Sequence, residues 1–82
     1  MLRVSVISPE AVLFEGEAES VVAPAYDGEV GILTGHAPLM ALLGEGQLRL
    51  GGASSRGFMV RGGFMQVLDN HVRVVTEKAT AG

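Results

Sequence analysis

Hydrophobic and polar residues alternate along much of the chain. Leu2, Val4 and Val6 alternate with polar neighbours, and the segment 47–50 repeats the pattern, which is the period of a strand with one buried face. Turn-forming residues recur at intervals of about eight to twelve residues, as is typical of all-β domains. No long segment has the apolar period of a helix. The pattern therefore predicts an all-β fold, a flattened β-sandwich or barrel of about ten short strands.

Two local signals near the C-terminal end sharpen this prediction. Asp69 and Asn70 lie between two apolar runs and predict a tight hairpin, because both residue types tolerate left-handed backbone conformations. The pair Gly62-Gly63, just before that hairpin, predicts a bulge or a sharp bend. Alternation predicts inner faces built from Val4, Val6, Val22, Ile32, Leu48, Leu50, Val60, Val67, Val72 and Val74.

The size and composition of the chain predict one small globular domain. It has 82 residues, of which 48% are hydrophobic and 18% charged, so it can form one core and has too little charge for disorder. We expect a single domain over residues 1–82, with the last residues, from Thr76 onward, as a short tail.

Charge and cysteine content exclude several classes of function. The formal net charge is −3 and the six basic residues are dispersed, which argues against nucleic-acid binding. There are no cysteines, so neither a disulfide framework nor a thiolate metal site is available. No apolar run approaches the roughly 20 residues needed to cross a bilayer, and we expect a soluble chain.

No combination of residues points to catalysis, a cofactor or a metal. A hydrolytic triad would need His36 or His71 as its base, and no G-x-S-x-G segment is present. The histidines lack the short spacing of metal ligands, and the glycines around residue 31 do not form a phosphate-binding fingerprint. The alternating acids Glu15, Glu17 and Glu19 could collect a hard cation, but a solvated strand face explains them better.

Other residues are candidates for contacts with a partner. His36 is either a loop histidine that bonds within its own turn or a contact residue, and the sequence leaves both readings open. Methionine fills core gaps more often than it forms an interface. Alternation nevertheless requires that some of the apolar side chains around the glycine pair face outward, where they would form a docking patch. These side chains are Phe58, Met59, Phe64 and Met65.

Several motifs resemble one known family. They are F-E-G at residues 14–16, G-E-V-G-I at 28–32, G-H-A-P-L at 35–39, the glycine pair and the closing hairpin. Together they are similar to the N-terminal β-sandwich domain of the epsilon subunit of the bacterial rotary ATP synthase, which is called delta in mitochondria.

The resemblance implies a non-catalytic role in the central stalk of that enzyme. Its expected partners are the gamma subunit, the c-subunit ring and, through the stalk, the alpha/beta catalytic head. The domain would couple ion-driven ring rotation to ATP synthesis from the cytoplasmic face of the bacterial inner membrane, as a peripheral component. The rival hypothesis is a free-standing β-sandwich that binds an unknown ligand.

Matching positions imply the contact residues. Glu29 and His36, with Asp27 and Gly28, match two loops that face the ring, and we expect both loops at one end of the sandwich. The basic and amide groups of ring loops would suit an acid there, since a charged contact fixes orientation more than it adds affinity. Our candidates for the gamma-subunit contact are Leu39, Met40, Leu42, Phe58, Met59, Phe64 and Met65.

Members of this family usually continue into a C-terminal pair of helices that restrains ATP hydrolysis in bacteria. These 82 residues do not include that pair. A protein ending at Gly82 is expected to couple rotation without the restraint, and a trimmed chain is the alternative.

Overall fold

The chain folds entirely into β-strands in the computed structural model, which describes residues 1–52 and 55–81. No helix occurs in these ranges. The eight strands are β1 (Leu2–Ile7), β2 (Val12–Ala18), β3 (Ser20–Ala25), β4 (Gly28–Leu33), β5 (Leu39–Leu42), β6 (Glu45–Gly51), β7 (Arg56–Leu68) and β8 (His71–Ala81).

Hydrogen bonding joins the strands into one mixed sheet. Its order is β2-β1-β8-β7-β6-β3-β4, and β5 pairs with β7 beside β6. The β1–β8 pair is parallel, whereas the other pairs are antiparallel. β6 pairs with the first half of β7, and β5 pairs with its second half. Because β8 pairs with both halves of β7, the two long strands β7 and β8 each belong to two layers.

The two layers enclose one core, as the sequence predicted. Layer one contains β2, β1, residues 71–75 of β8, residues 63–68 of β7, and β5. Layer two contains residues 76–81 of β8, residues 56–61 of β7, then β6, β3 and β4. Each layer thus has five strand segments. The expected ten short strands are present as segments, because two long strands bend and serve both layers.

Three neighbouring segments cross between the layers at one place, which we call the corner: residues 43–44, 62–63 and 75–76. The predicted bend at the glycine pair occurs here, and the pairing register of β7 with β8 is the same on both sides of it. Gly62 and Gly63 have φ of 70° and 102°, a region that favours glycine. The Leu43 amide donates to the Gly63 carbonyl (2.9 Å) and the Gly62 amide to the Gly44 carbonyl (3.2 Å).

Thr76 closes the corner from the β8 side. It is buried, and its hydroxyl lies 3.1 Å from the Gly62 carbonyl and 3.0 Å from the Lys78 carbonyl, so it can donate to either. The alternation of buried positions also changes here. Phe58 and Val60 are buried before the corner, whereas Met65 and Val67 are buried after it. The residues of β7 that point into the core therefore change from even-numbered to odd-numbered at the corner.

The predicted core is largely confirmed. Its inward residues are fully or almost fully buried, and Val22 is the exception because it lies half-buried on the outer side of β3. At one margin of the core the Arg56 guanidinium lies 5.5 Å from the centre of the Phe14 ring, linking β7 in layer two to β2 in layer one. The predicted solvent-facing acids on and after β2, Glu15, Glu17 and Glu19, are exposed.

The C-terminal hairpin has the predicted turn but a longer second strand. Asp69 and Asn70 both have positive φ, 49° and 61°, as a two-residue hairpin turn requires. The expectation that the residues from Thr76 onward form a tail is wrong for the described residues. β8 continues to Ala81 because this segment crosses the corner and pairs with the first half of β7. Gly82 lies outside the described residues.

The corner gives a direct stability prediction. A Cβ added at Gly63 would overlap the Val75 carbonyl oxygen and lie 2.7 Å from the Thr76 Cα, at a φ that disfavours side chains. Gly63→Ala should therefore lower the free energy of unfolding by about 2 kcal/mol or more. Urea denaturation measures this. The control is Gly31→Ala, whose Cβ would meet nothing within 4 Å, and it should change stability by less than about 0.5 kcal/mol. Equal stabilities would contradict our account of the corner.

Candidate functional site

His36 lies in the loop 34–38, and His71 is the first residue of β8. The His36 Nδ1 lies 2.7 Å from the carbonyl oxygen of Ala37, within its own loop. His71 starts β8, next to Arg3 of β1. In the part of the chain that the structure describes, no group of three His, Cys, Asp or Glu side chains could hold a metal ion.

Asp27, Gly28 and Glu29 lie near the corner, in the turn between β3 and β4 and at the start of β4. The turn is held there by the Tyr26 amide, which donates to the Leu42 carbonyl (2.8 Å). Gly28 has φ of 134° and all three residues are exposed. Their side of the molecule therefore presents two carboxyl groups to solvent.

Glu29 forms an ion pair with Arg49 inside the domain. Its Oε2 lies 3.4 Å from the Arg49 Nη2 of β6, across β3. About half of each side chain is exposed, 59% for Glu29 and 50% for Arg49. Exposed pairs of this kind contribute roughly 0–1 kcal/mol. The ion pair with Arg49 thus holds Glu29 only weakly. Replacing it by an ion pair with a basic group of another protein would cost little free energy.

His36 lies at the other end of β4 from Glu29. The loop 34–38 follows Leu33, and the Gly35 amide donates to the Asn70 Oδ1 of the β7–β8 turn (2.6 Å). Gly28 and Leu33 are about 17 Å apart at roughly 3.4 Å per strand residue. The expectation that the Glu29 and His36 loops share one end of the sandwich is therefore wrong. They mark the two ends of one exposed edge strand.

The candidates for gamma contact divide into core and surface residues. Phe58 is 5% exposed and Met65 is fully buried, so neither is available to a partner of the folded domain. Leu39 is partly buried against the same core. The prediction was wrong for Phe58 and Met65, because the change of buried positions at the corner turns them both inward.

The remaining candidates lie on different faces. Met40, Leu42 and Phe64 point outward from layer one, since Leu42 pairs with Phe64 and Met40 lies two residues before Leu42. Met59 points outward from layer two, between Gln47 and Thr80. The structure therefore brings three of the predicted contact residues together and separates the fourth.

A continuous apolar row crosses the outer face of layer one. Successive members are cross-strand partners, from β5 through β7, β8 and β1 to β2. Leu42 on β5 and Val12 on β2, at the two ends of the row, are 66% and 61% exposed, and the three members between them are half-buried. Met40 and Leu68, both exposed, lie on the same face. We call this set the apolar row: Leu42, Phe64, Val75, Ile7 and Val12.

Sequence reasoning missed the second half of the row. Ile7 follows Val6 and Val75 follows Val74, so each doublet breaks the alternation and one of its members must face outward. That signal was present in the sequence. Which doublets join into one surface depends on the strand order, which alternation alone does not give.

The outer face of layer two is charged. Besides the Glu29–Arg49 pair, the Arg61 Nε lies 3.5 Å from the Glu45 Oε2, and both side chains are about 70% exposed (71% and 69%). Lys78 pairs with Arg61 across the strands. Exposed charged groups are well solvated, whereas exposing the apolar row to water costs free energy. The two outer faces are therefore suited to different surroundings.

An open groove separates the free edges of β4 and β5. It has a volume of about 560 Å³ and is lined by residues 25–30 and 39–42, including the exposed Tyr26. We call this side of the molecule, from Asp27 along β4 to His36, the β4 flank. Its mixture of apolar and acidic side chains fits a protein surface better than a small substrate.

Comparison with known proteins identifies the family. A family model described as the beta-sandwich domain of the ATP synthase delta/epsilon chain matches residues 1–82. The chain belongs to the ATP synthase delta/epsilon family. The resemblance noted in the sequence is thereby confirmed, and so is the β-sandwich expected from it.

Bacterial relatives of this delta/epsilon-family domain extend over nearly all of it. The ATP synthase epsilon chain of Leptospira borgpetersenii is 48% identical over 77 residues, which is 93% of this chain and 61% of the relative. That of Gloeothece citriformis is 38% identical over 82 residues, 99% of this chain and 59% of the relative. The chain thus spans less than two thirds of the length of these relatives.

Solved structures have the same fold. In the cryo-EM structure of the Euglena gracilis mitochondrial ATP synthase, comprising OSCP, F1 and the c-ring, one chain matches with a TM-score of 0.88 at 21% identity, over 98% of this chain and 52% of that one. A chain of the Tetrahymena thermophila central stalk and c-ring matches with a TM-score of 0.82 at 18% identity, over 98% and 66%. At these identities the likeness establishes the fold of the delta/epsilon-family domain.

A membrane-spanning helix is not found among residues 1–52 and 55–81.

Proposed function

We propose that this domain is a non-catalytic coupling element of the rotary ATP synthase. It binds the gamma subunit and the c-subunit ring, and it passes ion-driven rotation of the ring through the stalk to the alpha/beta catalytic head. Its place is peripheral, on the cytoplasmic face of the bacterial inner membrane, which it meets only through the complex. The observation that carries the proposal is the apolar row on one outer face of a delta/epsilon-family sandwich.

The apolar row is the proposed gamma-binding surface. Its side chains remain partly exposed in the domain alone, although covering them would stabilise the assembly by about 25 cal/mol per Å² of apolar surface. Interfaces centre on such apolar patches with polar rims. The cross-strand pair Gln66–Arg73 lies two residues along β7 and β8 from the pair Phe64–Val75, and it supplies a polar rim.

The β4 flank is the proposed ring-binding surface. Glu29 and His36 lie at opposite ends of β4, so one flat partner touches both only if it lies along that strand. The exposed carboxylates of Asp27 and Glu29 suit basic groups on ring loops, and His36 presents a polar ring at the other end. With gamma on the outer face of layer one and the c-ring along the β4 flank, the domain contacts both without contributing a catalytic group.

The gamma surface is tested by placing a charge in the apolar row. Leu42→Glu should weaken binding of the gamma subunit about tenfold or more, because a carboxylate would be buried without a partner. Isothermal titration with purified gamma measures the affinity. Folding should be unaffected, since Leu42 is 66% exposed.

The matched control is Met59→Glu, which puts the same charge on a 45% exposed side chain of layer two. It should change the affinity by less than about twofold. A stronger effect of Met59→Glu than of Leu42→Glu would reject this face. Absence of any complex with the wild-type domain at micromolar concentration would reject the stalk function and favour a free-standing binding module.

The β4 flank is tested at its two ends separately. Glu29→Arg and His36→Ala should each reduce ATP-driven proton pumping relative to ATP hydrolysis in membrane vesicles. Because the two sites lie more than about 10 Å apart, their effects on binding free energy should add in the double variant. Glu77→Arg is the control, since it reverses an exposed acid on β8, at the opposite edge of layer two from β4. Pumping that is unchanged by both flank substitutions, or reduced equally by the control, would contradict this surface.

A further inference from the structure

Asn70, in the β7–β8 turn, contacts two segments of the chain that are distant in sequence. It is the second residue of the β7–β8 turn, with φ of 61°. Its backbone carbonyl accepts a hydrogen bond from the Arg3 amide at the start of β1 (2.8 Å). Its side-chain Oδ1 accepts a hydrogen bond from the Gly35 amide in the loop 34–38 (2.6 Å). One residue thereby joins the hairpin turn, β1 and the loop that carries His36.

The other hydrogen bonds that the structure describes for this loop are local. The His36 amide donates to the Leu33 carbonyl (3.1 Å), and the His36 ring bonds to the adjacent Ala37 carbonyl oxygen. Pro38 has no amide hydrogen to donate. The residue after the loop, Leu39, pairs with Val67 of β7, so the C-terminal end of the loop is held by the β5–β7 ladder. Among the described hydrogen bonds of residues 34–38, the bond to Asn70 is the one that holds the loop itself to the β7–β8 turn.

The hairpin turn by itself does not require the Asn70 side chain. Its left-handed conformation is satisfied as well by glycine, and the backbone carbonyl that receives the Arg3 amide would remain. What a glycine would lack is the Oδ1 acceptor. The carboxamide therefore acts on the loop more than on the turn.

We infer that Asn70 is a positioning residue that fixes the His36 loop relative to β7 and β8. The same two strands carry Phe64 and Val75 of the apolar row, so the loop takes its position from the strands of the gamma-binding face. Asn70 thus links the proposed gamma surface to one end of the proposed ring surface. The consequence for the ring rests on the proposed function, whereas the positioning of the loop does not.

Amide exchange tests the positioning directly. Two variants that both tolerate the left-handed turn differ in the acceptor: Asn70→Gly removes it and Asn70→Asp keeps it. Exchange of the Gly35 amide, followed by NMR, should be about three- to tenfold faster in Asn70→Gly than in the wild type, and unchanged or slower in Asn70→Asp.

The Arg3 amide is the internal control, because its acceptor is the backbone carbonyl of residue 70. Its exchange should change by less than about twofold in both variants. Equal Gly35 exchange in the wild type and Asn70→Gly would overturn the inference. So would equal acceleration of the Arg3 and Gly35 amides, which would mean that the whole turn opens.

Assembly on the membrane tests the consequence. In the subunit that carries this domain, Asn70→Gly should reduce retention on ATP synthase membranes as His36→Ala does, with little further loss in the double variant, and Asn70→Asp should restore it. If the His36→Ala subunit dissociates from the membranes whereas the Asn70→Gly subunit is fully retained, the inferred link between Asn70 and the ring surface would be overturned. If His36→Ala itself has no effect, the ring contact at the His36 end of the β4 flank fails, and Gly35 exchange alone decides the role of Asn70.

Discussion

The close contact between β7 and β8 at Gly63 makes the two-layered fold possible. With no Cβ at residue 63, the chain can approach the Val75 carbonyl and Thr76 closely enough for two strands to bend without losing register. The bend lets one hydrogen-bonded sheet cover both sides of its own core. A domain of this length has too little chain for two independent sheets with separate cores.

Two outer faces of different character follow from that bend. Layer one places its apolar row outward, whereas layer two places two ion pairs outward. β7 and β8 are continuous through the corner, so a force applied to one layer is carried to the other by their covalent backbone and by the hydrogen bonds between them. The proposed coupling function needs this property, because it requires rotation to be transmitted between partners on different sides without deformation of the domain.

Part of this picture could be predicted from the sequence. Alternation located the strands and most of the core, and Asp69-Asn70 identified the hairpin turn. The motifs around Gly28 and Gly35 pointed to the family. These features are local, and each depends on a few adjacent residues. Family membership and the sandwich were therefore accessible before the structure was known.

The faces of the long strands could not be predicted in the same way. Phe58 and Phe64 are both at even positions of β7, yet the first is buried and the second faces outward, because the buried positions change across the corner. The apolar row depends on strand order, including the parallel pairing of β1 with β8. The changed faces of β7 and the apolar row are long-range properties. The separation of Glu29 from His36, in contrast, follows from the length of β4, which is a local feature.

The proposal that gamma covers the outer face of layer one can be tested by comparing the oxidation of two methionines. Met40 and Met59 are 61% and 45% exposed on opposite faces, so both should react with peroxide in the domain alone. With the gamma subunit bound, mass spectrometry should find oxidation of Met40 slowed by about tenfold or more, and that of Met59 unchanged. Protection of Met59 with free oxidation of Met40 would contradict the account.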